Sequence, residues 1–206
     1  MWGSVRDALS ILVGGNLGEV GFTVVSTALA GRPPLGPRQF LLINLLTDML
    51  PAMTIAMRPP PAGSDAWREA PDTSLGSSLR GQILLRSVTT AGGGFAGWTL
   101  GRATGTRRRA GTIALVSLVG TQLGQTAVLG RSSPAVLASA AVSFVVLGGI
   151  VQTPGVSQAF GCTPLGPLGW GIGLGSAAGA TGASVVLPAV WRSSLFEPLR
   201  RVSAGR

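Results

Sequence analysis

Two carboxylates lie inside stretches of the sequence that otherwise avoid charge, and they are the first candidates for chemistry. Glu19 stands in the middle of an apolar run that opens near Ala8 and ends near Ala30, and Asp48 stands in the next run, 39–57. A charged group at the centre of a lipid bilayer costs about 2.5–3.5 kcal/mol on insertion scales. Acids in such positions therefore predict a functional site.

Further oxygen-bearing side chains share a helix face with each acid. Asn16 precedes Glu19 by three residues. Asn44, Thr47 and Asp48 are spaced i, i+3, i+4. Both spacings bring side chains to one face of a helix. Together they form an all-oxygen set, which suits a hard cation such as Ca²⁺, Mg²⁺ or Na⁺.

A proline and the absence of a buried Lys or Arg near the two acids decide how we interpret them. Pro51 has no N–H, so an α-helix would leave the carbonyl of Thr47 without its usual partner. Polar groups in membrane helices can also serve only as interhelix hydrogen bonds, worth ~0.6 kcal/mol on average. Two acids without a basic partner repel each other unless one is protonated or a cation lies between them. We therefore interpret Glu19 and Asp48 as cation ligands, while for the uncharged residues taken singly the alternative stays open.

The elements that must position these residues are membrane-spanning helices. Only 11% of the residues are charged, against about 25% in soluble domains, and the mean hydropathy is +0.46. Six apolar stretches have nearly the ~20 residues that a helix needs to cross the hydrocarbon layer. We predict an all-α, polytopic membrane bundle of about six transmembrane helices, at 8–30, 39–57, 81–101, 110–130, 134–152 and 165–191.

The charges favour the lipid bilayer as a partner and argue against nucleic acid. All sixteen basic residues are Arg, all of them except Arg86 lie outside the apolar runs, and aromatic residues for base stacking are few. Arginine at the ends of membrane helices explains them. More of them lie on the side of the termini, which predicts two cytoplasmic termini and insertion in a bacterial-type plasma membrane. The single cysteine, Cys162, excludes an intrachain disulfide.

The first two runs resemble a known family. The strings "GGNLGEV" and "PLGPRQFLLINLLTDMLPAMTIAMRPP" are similar to the fifth and sixth transmembrane helices of P-type cation-transporting ATPases, of the calcium and sodium–potassium branch. The resemblance covers about residues 1–195. It implies that the chain, 1–206, is the C-terminal six-helix part of the transport domain. It also implies that Asn16 and Glu19 are fifth-helix ion ligands and that the sixth-helix ligands are Asn44, Thr47 and Asp48.

The resemblance continues into the second half of the chain. The stretch "TIALVSLVGTQLGQTAVL" (112–129) is similar to the eighth helix of the family, and 152–170 looks like the loop between its ninth and tenth helices. Gln122 takes the place of a glutamate that two-site calcium pumps carry, which resembles single-site calcium pumps and sodium–potassium pumps. The resemblance implies that Gln122 is a neutral ligand, with interhelix hydrogen bonding as the alternative. It makes Ca²⁺ the first candidate cargo, with Mg²⁺, Na⁺ or K⁺ possible.

The phosphorylation machinery of the family has no counterpart here. Family members are phosphorylated on an Asp in a "DKTGT" motif, and these 206 residues contain no such string. We therefore expect no catalytic or nucleotide-binding residue and no ATP hydrolysis by this chain alone. ATP and Mg²⁺ would act only in a complete pump, with the N-terminal half supplied by another chain or by upstream sequence. The alternatives are a stand-alone six-helix cation carrier or channel and a non-transporting remnant.

Overall fold

The computed structural model describes residues 2–56 and 75–203, and almost all of them are helical. The elements are α1 (Trp2–Ala30), α2 (Pro37–Asn44), a π-helix (Leu45–Ala52), α3 (Met53–Ala56), α4 (Leu75–Thr104), α5 (Arg107–Leu129), α6 (Pro134–Gln152), α7 (Val156–Ala159) and α8 (Pro167–Ser203). The prediction of an all-α fold is confirmed.

Four described helices are long and apolar enough to cross a membrane. They contain the segments Asp7–Ala30, Arg107–Leu129, Pro134–Gln152 and Pro167–Pro188. These segments agree with the predicted spans at 8–30, 110–130, 134–152 and 165–191. The spans predicted at 39–57 and 81–101 also fall on helical residues, apart from 57, which lies outside the described residues. Their crossing of the bilayer stays a prediction.

The second predicted span is interrupted at the level of Asp48. An α-helix ends at Asn44, a π-helix follows over Leu45–Ala52, and a short α-helix completes the segment. In a π-helix each N–H bonds to the carbonyl five residues earlier. The carbonyl of Leu46 is therefore the one left without a partner, because the residue five positions later is Pro51, which has no N–H. The prediction that Pro51 frees the carbonyl of Thr47 was wrong by one residue, because it assumed α-helical geometry.

Helix α4 is longer than the predicted span of 81–101, since it begins at Leu75 and ends at Thr104. It packs against α1, α5 and α8. Most of the predicted irregular loop, 58–79, lies outside the described residues, and its last residues belong to α4.

Helix α5 forms the centre of the bundle, and glycines of its neighbours let them approach it. Nearly every residue of α5 from Ala110 to Thr126 is buried. A Cβ atom added at Gly94 of α4 would lie 2.6 Å from Cδ2 of Leu118, and one added at Gly173 of α8 would lie 2.8 Å from Cγ1 of Val116. Close packing around small residues stabilises helix pairs in lipid, where apolar burial supplies no force between them.

Three connections meet at one end of the bundle, which we call the loop end (31–36, 105–106 and 153–166). Arg38 Nη1 donates a hydrogen bond to the carbonyl of Ala159 at 2.7 Å. The backbone N–H of Thr163 donates to Oγ1 of Thr112 at 3.0 Å. These contacts join the start of α2, the start of α5 and the segment before α8.

Candidate functional site

Glu19 is buried in the middle of α1, with 4% of its surface exposed. Its Oε1 accepts a hydrogen bond of 2.7 Å from Nε2 of Gln122 on α5. The structure thus brings together two predicted site residues that are 103 positions apart in the sequence.

Gln122 keeps one polar atom free at this point. Its Oε1 is buried and has no hydrogen-bond partner among the described residues. The same oxygen lies against Gly15, where an added Cβ would be only 2.6 Å away. A buried carbonyl oxygen without a partner is costly. This oxygen is therefore a good candidate to bind a ligand beside Glu19.

Asp48 joins the site from the π-helix, where it is half-buried. Its carboxylate accepts a hydrogen bond from the side chain of Asn16 on α1. Oγ1 of Thr47 lies 3.2 Å from Oδ1 of Asp48 and 3.0 Å from the carbonyl of Ile43. Asp48 is close enough to Glu19 for the two carboxylates to interact electrostatically. The π-helix therefore presents its acid to the same region as α1.

Asn44 stands apart from this group. It is exposed, and within the described parts of the chain its side chain makes no hydrogen bond to Glu19, Asp48 or Gln122. Asn16 is exposed as well. The structure brings five of the six predicted residues together and leaves Asn44 at the rim. Whether any of them binds a cation stays a prediction.

Two glycines of α1, Gly14 and Gly18, lie in close contact with α4. An added Cβ would lie 2.8 Å from Cβ of Arg86 at Gly14 and 2.7 Å from Cβ of Thr90 at Gly18. The helix that approaches them is α4, and not the segment with Asp48, which meets α1 through polar side chains.

Residues of α4 and α5 that sequence reasoning left without a role flank the site. Nη2 of Arg86 donates to the carbonyl of Gln125 at 3.2 Å, and Nε2 of Gln125 donates to Oγ1 of Thr89 at 2.8 Å. Gln125 follows Gln122 by three residues, so both face the same neighbours. The i, i+3 spacing of Gln122 and Gln125 was the signal in the sequence that could have indicated this role of Gln125. These bonds fix the rotation of α5 that aims Gln122 at Glu19.

The donor atoms of this arrangement are all oxygens, the kind that hard cations prefer. The described residues contain no group of three or more His, Cys, Asp and Glu side chains that could hold a metal ion. What they offer is a carboxylate from each of two helices, together with hydroxyl and amide oxygens. Such oxygen sets suit Ca²⁺, Mg²⁺ and related ions, and not the softer metals that need Cys or His.

The sequence of residues 32–187 matches the family model described as "Cation transporting ATPase, C-terminus". The chain belongs to the cation-transporting ATPases. It is 46% identical over 217 residues to the "Probable cation-transporting ATPase I" of Mycobacterium leprae (strain TN), an alignment that covers 95% of this chain. It is 48% identical over 209 residues to the protein of the same name from Mycobacterium tuberculosis (strain CDC 1551 / Oshkosh), over 91% of this chain.

The match places the chain in the C-terminal membrane part of a P-type cation-transporting ATPase, as the resemblance predicted. With its apolar helices, the chain is an integral membrane protein. It spans 13% of the length of each mycobacterial ATPase. A "Calcium-transporting ATPase" of Plasmodium falciparum (isolate K1 / Thailand) is 33% identical over 89 residues, which is 43% of this chain and 7% of that ATPase. Assignment to the calcium and sodium–potassium branch stays a prediction.

Proposed function

We propose that this chain forms half of the ion path of an ATP-driven cation pump, in which Glu19 and Asp48 bind the ion in transit. The observation that carries the proposal is the meeting of these two acids from separate helices, with the amide of Gln122 beside them. The remaining half of the path, and the domains that use ATP and Mg²⁺, would come from the N-terminal part of a complete pump.

Electrostatics favour a bound cation at this point. Two carboxylates at close range repel each other, and the repulsion grows as the surroundings become less polar. A cation between them would offset that repulsion. It could also accept the unpartnered amide oxygen of Gln122 as a ligand. Protonation of one acid is the other solution, so the site could exchange a cation for a proton as the pump cycles.

Ca²⁺ is the first candidate cargo, with Mg²⁺, Na⁺ and K⁺ as alternatives. Ca²⁺ takes six to eight oxygen ligands in flexible geometry, and Glu19, Asp48, Thr47 and Gln122 together supply at most six side-chain oxygens. Asn16 is exposed beside these residues, so a further helix could add ligands on that face. The name of the Plasmodium relative, a calcium-transporting ATPase, agrees with this choice.

We also propose that the chain lies in a bacterial-type plasma membrane with both termini in the cytoplasm. The excess of Arg near the termini supports this orientation. The loop end would then face the outside of the cell.

The test is transport by a complete pump that contains this chain. ATP-dependent ⁴⁵Ca²⁺ uptake would be measured in inverted membrane vesicles for the unchanged pump, Glu19→Gln and Asp48→Asn. The matched control is Glu197→Gln, which removes an acid of α8 outside the predicted ligands. We expect uptake to be lost in the first two variants and kept in the control.

Other results would change the proposed site, the proposed cargo or the proposed function. Unchanged Ca²⁺ affinity in both site variants would overturn the proposed site. Phosphoenzyme formation that depends on Na⁺ or K⁺ and not on Ca²⁺, or ATP-dependent uptake of Mg²⁺ itself, would keep the site and change the cargo. Ca²⁺ release from liposomes by this chain without ATP would favour the carrier or channel. A complete pump that forms no phosphoenzyme with any cation would favour the remnant.

A further inference from the structure

A cleft of about 790 Å³ opens at the loop end. The start of α2, the end of α4, the start of α5 and the segment 158–161 surround it. Its lining contains no carboxylate and carries five arginines: Arg32, Arg38, Arg102, Arg107 and Arg108. We propose that this cleft binds a phosphate-bearing anion, either the headgroup of an anionic phospholipid or free inorganic phosphate.

Two of these guanidinium groups are already oriented by the walls of the cleft. Arg38 is fixed by its bond to the carbonyl of Ala159. The guanidinium carbon of Arg102 lies 4.8 Å from the ring centroid of Trp98, over the face of the ring. A guanidinium has five N–H donors, so most donors of each remain available. Their planar fork matches the oxygens of a phosphate group.

The helix ends add to the positive potential. Helix α5 begins at Arg107, so its positive dipole end and two arginines of its first turn lie at the same cleft. Basic residues are unfavourable at this end of a helix. The start of α2, at Pro37, lines the cleft as well. An anion bound there would interact favourably with both helix ends and with the arginines.

None of the described residues that line the cleft is an acid that could neutralise this charge. The loop-end segments 31–36, 105–106 and 153–166 contain neither Asp nor Glu. The lining therefore supplies no anion of its own, and the proposal assigns that role to a bound ligand. The cleft volume lies in the ordinary range for sites of small molecules. Trp98 and Phe160 give it apolar walls at the end of the membrane helices, where lipid headgroups are found.

Binding can be measured on the purified chain in neutral detergent with two probes. Native mass spectrometry counts bound dioleoylphosphatidylglycerol, with the phosphatidylcholine of the same acyl chains as the neutral-headgroup comparison. Fluorescence of Trp98, assigned by the signal lost in Trp98→Phe, follows titration with inorganic phosphate. The test variant is Arg102→Gln/Arg108→Gln. The matched control is Arg80→Gln/Arg131→Gln, which removes two exposed arginines at the opposite end of the bundle.

We expect saturable binding of phosphatidylglycerol that the test variant weakens about tenfold or more and that the control leaves unchanged. Competition by inorganic phosphate in the millimolar range would identify a free anion as a sufficient ligand. Binding of the lipid without competition would identify the headgroup as the source. Equal binding of both lipids without any phosphate response would overturn the proposal. Equal weakening in the test and control variants, at unchanged circular dichroism, would also overturn it.

Discussion

The side-chain amide of Gln122 reaches Glu19 by passing over Gly15, where no side chain stands in its way. The hydrogen bond to Glu19 measures 2.7 Å, and the amide oxygen fills the space that a Cβ at Gly15 would need. The contact between α5 and the acid of α1 therefore depends on a residue that carries no functional group.

Replacing Gly15 with alanine should weaken cation binding without changing any charge. The added methyl would come within 2.6 Å of the amide oxygen of Gln122 and displace it. We expect cation-dependent phosphoenzyme formation in the complete pump to need several-fold more cation. Gly21→Ala on the same helix is the control, because its Cβ would have only an ordinary contact at 3.8 Å, with Ala91. Equal affinities in the two variants would contradict the role of Gln122.

Asp48→Asn should impair the pump more than Gln122→Ala. The first substitution keeps the shape of the side chain and removes a full charge from a site of low polarity, where charge attraction is strong. The second removes a dipole that a water molecule can replace. We expect a loss of about tenfold or more in apparent cation affinity for Asp48→Asn and a smaller loss for Gln122→Ala. The measurement is phosphoenzyme level against cation concentration, and the reverse order of effects would speak against Asp48 as a ligand.

Gly18→Ala should destabilise the fold itself. Its Cβ would lie 2.7 Å from Cβ of Thr90 and 2.9 Å from the backbone oxygen of Ser87. A main-chain atom of α4 cannot move aside without a shift of the helix, and overpacking of this kind costs about 1–3 kcal/mol. Thermal unfolding in detergent should show a lower midpoint for Gly18→Ala and an unchanged or higher one for Gly21→Ala. An unchanged midpoint for Gly18→Ala would mean that α1 and α4 can move apart enough to accept the methyl group without a loss of stability.

The orientation in the membrane can be tested with two exposed alanines at opposite ends of the bundle. Ala103 lies near the end of α4, at the loop end, and Ala135 lies in the first turn of α6. In a Cys162→Ser background, we expect Ala103→Cys in intact cells to react with an impermeant maleimide. Ala135→Cys should react only after the cells are opened. The opposite pattern would place the termini outside.

Cys162 should react slowly with alkylating reagents. Burial raises the pKa of its thiol above the ordinary value, although hydrogen bonds from Gln39 and Thr112 act in the opposite direction. The thiolate fraction at a given pH is therefore smaller than in a free cysteine, and alkylation should rise only at higher pH. Because the unfolded chain loses this proton first, stability should fall as the pH passes the ordinary thiol pKa. Stopped-flow alkylation between pH 7 and 10 checks the rate, with denatured chain as the reference. Equal alkylation rates for the folded and the denatured chain would contradict the raised pKa of Cys162.

The sequence singles out the two acids, but it does not predict the contact of Glu19 with the amide of Gln122. Glu19 and Asp48 stand out because charge is rare in apolar runs, and their helices are close in sequence. The residue that touches Glu19 lies 103 positions away, and no local pattern pairs the two. The family resemblance suggested Gln122 as a ligand, but the role of Gly15 follows only from the packing of α5.

Backbone detail was the other limit. A proline in an apolar run predicts a break in the regular α-helix, but it does not predict which backbone geometry replaces the α-helix there. Here the segment Leu45–Ala52 widens into a π-helix, which shifted the predicted unpaired carbonyl from Thr47 to Leu46. Helix α4 also extends beyond its apolar stretch at both ends, since hydropathy marks where lipid would contact a helix and not where its hydrogen bonding stops.

The glycine contacts between α1 and α4 also decide which parts of the site can move. At Gly14 and Gly18 the two helices pack closely because glycine has no side chain. A change of side-chain rotamer cannot relieve a steric clash there. If α1 slid by one residue, Leu17 or Glu19 would stand where Gly18 now meets the backbone of α4. We therefore expect the two helices to move together as one rigid unit that carries Glu19. Displacement between the two acids must come from the π-helix, which meets α1 through polar side chains that can break and reform their contacts.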